Sequence, residues 1–89
     1  MKRFYTIDAI SENGKTVYWS PATDKFEYGD SPDNLYCKYT DALRDYRRAI
    51  EEAPSCNMLS VRLKERIEDE QTHYHLIKER RFILNGEQE

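Results

Sequence analysis

The sequence predicts a small α+β protein: a small antiparallel sheet, made of an N-terminal hairpin plus short strands, packed on one helix over residues 40–53. Three observations predict it. Asn13-Gly14 sits between two runs rich in aromatic and branched side chains, and a tight hairpin turn needs the positive φ that Asn and Gly tolerate. The run TDALRDYRRAIEEA places Leu43, Tyr46, Ile50 and Ala53 at helical spacing, with Ala42 and Ala49 beside them. Leu59, Val61 and Leu63 alternate with Ser60, Arg62 and Lys64, the period of a half-buried strand. A chain of 89 residues with no internal repeat, low-complexity tract or long linker is expected to form one domain with one modest core.

The elements follow in order. Residues 3–10 read as a strand. A two-residue Asn13-Gly14 turn pairs Glu12 with Lys15, Ile10 with Val17, Ala9 with Tyr18 and Asp8 with Trp19. That register collects Phe4, Ile10, Val17 and Trp19 on one face and Tyr5, Ile7, Ala9 and Tyr18 on the other. Ser20-Pro21 ends the second strand, and residues 26–28 make a short third one. Residues 29–34, GDSPDN, have loop composition. An extended segment over 35–39 then feeds the helix. Thr40 caps that helix through its hydroxyl, and Asp41 lies near its positive end. Pro54 stops it, having no N–H to donate. The Leu43, Tyr46 and Ile50 stripe is the face expected to lock the sheet.

Residues 59–84 admit two readings. As one long helix, Leu63, Ile67, Tyr74, Ile77 and Leu84 share a stripe, but Glu70 and Arg81 fall on it too. As a hairpin, a turn over 68–71 sets Ile67 opposite Thr72, Glu65 opposite Tyr74 and Leu63 opposite Leu76. The hairpin is favoured because it accounts for more of the apolar residues; its turn contains no Gly, Asn or Pro. The tail 85–89 is expected to fray.

Composition narrows the function. Charged residues are 35% of the chain and the net charge is −3. That balance announces neither a nucleic-acid binder nor a mimic of DNA. Cys37 and Cys56 fit no metal-finger spacing and are expected to be free thiols. With no membrane-length apolar run and no signal-peptide core, a cytoplasmic location is expected. The three glycines stand alone, so no glycine-rich loop cradles a phosphate. His73-x-His75 lacks further metal ligands at defined spacing, and Cys56 lacks a local base to activate it. No catalytic residue, cofactor or metal is therefore expected.

The aromatic content points to a binding role. Seven tyrosines are hard to bury in so short a chain, because each hydroxyl then needs a partner. Tyr and Trp are favoured at interfaces, where an apolar ring with a polar tip is useful. Tyr18, Trp19, Tyr28 and Tyr36 are the candidate anchors for a protein partner. Asp24, Glu27 and Asp30, in the acidic stretch 24–33, are the candidate charged rim. A homodimer seam is an alternative use of the same rings. The second choice is a nucleic-acid-binding module, with Arg62, Lys64 and Arg66 along one strand face and aromatics for base stacking.

Taken in order, Tyr5-Thr6-Ile7, Asn13-Gly14-Lys15, Tyr18-Trp19-Ser20-Pro21, Phe26 and Tyr39-Thr40-Asp41-Ala42 give a layout that resembles small accessory proteins of bacteriophages. Those run as a meander of aromatic strands, one capped helix and charged C-terminal strands. The resemblance spans roughly residues 3–67, is one of layout and composition, and carries over no functional residue. It implies a protein that binds, as a modulator or inhibitor of a host or defence protein, rather than one that catalyses.

Overall fold

The structure, a computed structural model, describes residues 2–28, 35–71 and 73–84, with the backbone alone described at Tyr28 and Tyr74. Strands β1 (Lys2–Ser11), β2 (Thr16–Ser20) and β3 (Lys25–Tyr28) precede helix α1 (Tyr39–Glu52). A 3-10 turn over Ala53–Cys56 leads into β4 (Met58–Glu68) and β5 (Tyr74–Ile83). The strands form one antiparallel sheet in the order β3-β2-β1-β4-β5, and the helix packs on one face of it. The expected α+β architecture is the observed one, and residues 59–84 form the hairpin rather than the long helix.

β1 lies at the centre and pairs with β4 along its whole length, from Lys2 opposite Glu68 to Ser11 opposite Met58. On its other side it meets β2 only over Asp8–Ile10. Further back, Tyr36 bridges Tyr5 through a reciprocal pair of backbone hydrogen bonds.

The β1–β2 register is one residue away from the expected one. Asp8 faces Tyr18, Ala9 faces Val17 and Ile10 faces Thr16. The loop has three residues, not two. Gly14 N–H donates to Ser11 O, Ser11 N–H donates to Lys15 O, and Gly14 takes φ +81°. A turn followed by a left-handed residue is the three-residue hairpin solution, and it needs the glycine as much as the two-residue turn does. Ser11 favours it, because its hydroxyl binds both Asn13 Oδ1 and the Lys15 N–H. A one-residue slip moves every side chain of a strand to the other face. Val17 and Trp19 thus join Tyr5, Ile7 and Ala9 on the helix side, and Tyr18 goes to the opposite side with Asp8.

The core is that helix-side layer: Tyr5, Ile7, Ala9, Val17, Trp19, Val61 and Leu63, under Tyr36, Ala42, Tyr46, Ala49 and Ala53. Leu43 and Ile50 are only partly buried against it, so the locking stripe is rotated from the expected one. Small residues at 42, 49 and 53 let the helix approach the large rings of the sheet, and close packing favours that exchange of volumes. The helix also starts one residue early. Lys38 is the extended residue before it, Thr40 lies inside the first turn, and no side chain caps it. Tyr39 packs on Tyr5 at 5.5 Å between ring centroids, which starts the first turn as soon as the Tyr36 bridge releases the chain. Pro54 does end the α-helix, in the 3-10 turn closed by left-handed Asn57.

In the C-terminal hairpin, Glu68 faces Tyr74 and Arg66 faces Leu76, and a bulge then shifts the pairing so that Glu65 faces Lys78 and Leu63 faces Arg80. The expected register is overturned because β4 runs on to Glu68 and β5 begins only at Tyr74, so the turn falls later in the chain than 68–71. Asp69 supplies what Gly, Asn and Pro would otherwise do. Its Oδ1 accepts the backbone N–H of Gln71 and of His73 at 2.8 and 2.9 Å, and its Oδ2 lies 2.8 Å from His75 Nε2. These bonds, led by the one to His75, hold the Asp69 carboxyl below its ordinary pKa.

Candidate functional site

Two of the expected aromatic anchors are structural. Trp19 is 2% exposed, with Phe26 edge-on at 5.1 Å. Tyr36 is buried too, and its hydroxyl donates to Asp45 Oδ2 at 2.8 Å. Burial first, then that bond to a carboxylate, pushes the Tyr36 pKa far above the tyrosine range. The register slip explains Trp19, and the bridge to Tyr5 explains Tyr36. Neither ring is available to a partner. Tyr18 remains half-buried on the face away from the helix, opposite Glu27. Tyr28 contributes its backbone to β3, and its side chain lies outside the described part.

Asp24 and Glu27 are exposed but occupied. Asp24 Oδ2 accepts from Arg48 Nη2 at 2.9 Å, tying the β2–β3 turn to the helix, and Glu27 Oε2 accepts the Thr23 hydroxyl at 2.7 Å. Asp30 lies outside the described residues.

The basic strand face is also occupied. Arg62 Nε lies 2.6 Å from Asp8 Oδ1, and Lys64 Nζ lies 3.1 Å from Asp8 Oδ2. Asp8 is 1% exposed, and the side chains of Arg62 and Lys64 are 14% and 13% exposed. Two cations lying across a buried carboxylate are compensating its charge, not waiting for phosphates. Arg66 is half-buried, and its Nε is buried without a hydrogen-bond partner among the described residues. Arg62 and Lys64, expected along a nucleic-acid-binding strand face, are thereby engaged with Asp8.

Chemistry based on cysteine is not assembled. Cys56 precedes β4 and the two histidines follow it. Eleven residues of strand keep them roughly 30 Å apart. Both cysteines are free and exposed. Among the described residues no three His, Cys, Asp or Glu side chains are disposed to hold a metal ion, and no helix is long and apolar enough to cross a membrane.

What stands open is the far edge of the sheet. β5 pairs with β4 on one side and with no strand among the described residues on the other. An edge strand presents N–H and C=O groups that another strand can take up. Large apolar side chains are exposed along it: Leu76 at 50%, Ile77 at 46% and Ile83 at 39%. Beside it, on the helix side, lies a groove of about 330 Å³ lined by Tyr5, Tyr39, Leu63, Glu65, Lys78 and Arg80. Tyr39, the first residue of α1, lines it from the helix side. Arg80 forms one wall. Its Nη1 donates to the Tyr39 hydroxyl at 3.1 Å, and its guanidinium carbon is 6.0 Å from the Tyr46 ring centre. Glu65 is held by Arg3 at 3.1 Å.

None of the β5 residues was singled out as a binding residue by the sequence. The signal available was Leu76-Ile77 beside Lys78, an apolar pair next to a basic run. Only the strand order makes it an edge. No family model matches this chain, and neither a curated protein nor a solved structure does.

Proposed function

We propose that this protein works by binding another protein, and that it does so by accepting an extended segment of the partner along β5. The observation that carries this is the coincidence on one strand of an edge that no strand among the described residues pairs and the exposed large apolar side chains of Leu76 and Ile77. Strand addition takes its affinity from backbone hydrogen bonds and its selectivity from side chains at alternate positions. Leu76 and Ile77 supply apolar contact, and the groove between Tyr39 and Arg80 can receive a side chain reaching across the edge. A modulator or inhibitor that holds a segment of its target suits such a surface.

The test compares partner capture by the native chain with capture by two variants. Leu76→Ser with Ile77→Ser removes the exposed apolar contact on β5, and Tyr18→Ala removes the half-buried ring of β2, three strands away. Capture from source-cell lysate, read by mass spectrometry, should be lost in the β5 double variant and kept in Tyr18→Ala, with native far-UV circular dichroism in both. Capture kept by the β5 variant and lost in Tyr18→Ala would place binding on the β2–β3 side instead.

A further inference from the structure

We infer that the segment accepted by β5 is acidic, with carboxylates at alternate positions facing Lys78 and Arg80; this rests on the reading of β5 as the binding edge. Lys78 and Arg80 are two residues apart on one strand, so both point to the same side of the sheet. That side is the groove, which both line. No ion pair recorded among the described residues involves Lys78. Arg80 uses Nη1 on Tyr39, which leaves further N–H donors of its fork. The groove's own carboxylate, Glu65, is taken by Arg3.

The rest of β5 agrees in sign. It carries Lys78, Arg80 and Arg81 against Glu79, in a chain whose net charge is −3. Glu79 is held by Arg81 at 3.0 Å on the other side of the strand. A basic edge on an acidic protein draws in an acidic strand and repels most others. The exposed Leu76 and Ile77 ask for apolar side chains between the acidic ones.

A second copy of the chain fits poorly. Two identical antiparallel strands related by a two-fold axis place one residue opposite its own copy. At the centre of β5 that residue is Lys78, Glu79, Arg80 or Arg81, and like charges directly opposite are destabilising. A nucleic acid would answer the cations but not the open backbone edge or the aliphatic side chains beside it.

The experiment uses end-blocked ten-residue peptides in which Val alternates with Glu, with Ser or with Lys, and a ten-nucleotide deoxythymidine oligomer. Each is titrated into the 15N-labelled chain at two salt concentrations. The Glu peptide should shift β5 amides and bind about tenfold more tightly than the Ser peptide, with the gap closing at high salt. Lys78→Glu and Arg80→Gln should each weaken it about fivefold, and Lys78 is exposed enough for its variant to fold. Equal binding of the Glu and Ser peptides, unaffected by either variant, overturns the acidic preference and leaves the edge reading standing. If no peptide perturbs β5, the edge reading falls as well. Tighter binding of the oligomer at β5, or concentration-dependent β5 shifts in the chain alone, overturns the inference in favour of nucleic acid or a second copy.

Discussion

The Asp8 carboxylate sits on the side of the sheet that α1 does not cover, yet it is as buried as any core residue. Arg62 and Lys64 hold one oxygen each. A charge withdrawn from water is tolerated only while its partners stay in place. Asp8→Ala leaves two partly buried cations side by side without their carboxylate and should cost about 3 kcal/mol in urea unfolding. Arg62→Ala keeps Lys64 on the carboxylate and should cost less. A loss below about 1 kcal/mol for Asp8→Ala would mean that the cluster behaves as a surface pair. The alternation of residues 59–67 shows Arg62 and Lys64 on the polar side of their strand. It does not show a carboxylate arriving opposite them from a strand more than fifty positions away. Tyr36 is a similar case: residues 35–39 read only as an extended segment, and its burial comes from a bridge to Tyr5 and a helix carboxylate behind it.

At the scale of elements, both hairpins were legible and both registers were not. Gly14 permits a two- or a three-residue loop, and the choice fell to the Ser11 hydroxyl. At the other hairpin the turn residue is Asp69, whose side chain stands in for a backbone turn. That dependence is testable by acid. The Asp69 carboxyl titrates below its ordinary value of 3.8 when folded. Its contribution to the hairpin end is therefore complete above that value and is lost as pH falls through the lower, folded one. Amide exchange at Gln71 and His73 should quicken in that acid window in the native chain. In Asp69→Ala it should be fast already at neutral pH, with the exchange of central β1 amides unchanged. Unaltered exchange at Gln71 and His73 would show that the turn holds without the carboxylate. For α1, the amphipathic run and Pro54 located the element, while the buried face turned toward Ala42, Ala49 and Ala53, because the space beneath is filled by the rings of Tyr5 and Trp19.

At the scale of the whole molecule, one helix serves a five-stranded sheet among the described residues, and these residues leave part of the helix side and both edges uncovered. The close seating of α1 depends on its alanines. Ala49→Leu should cost about 1–3 kcal/mol by overpacking, seen as a lower urea midpoint with an unchanged slope, whereas an unchanged midpoint would mean slack beneath the helix. Residue order alone determined the class of the fold: the N-terminal strands, one helix ending at Pro54 within a residue or so of its observed bounds, and a preference for a hairpin over a helix in residues 59–84. These rest on periodicity and local stiffness, which neighbouring residues settle between themselves. Only the tertiary structure decided which rings are core, which cations are already paired and which strand is left at the edge. Each of those depends on register and strand order, where a one-residue difference in a loop exchanges the two faces of a strand. Trp19 went inward by register, and β5 was left outside by strand order.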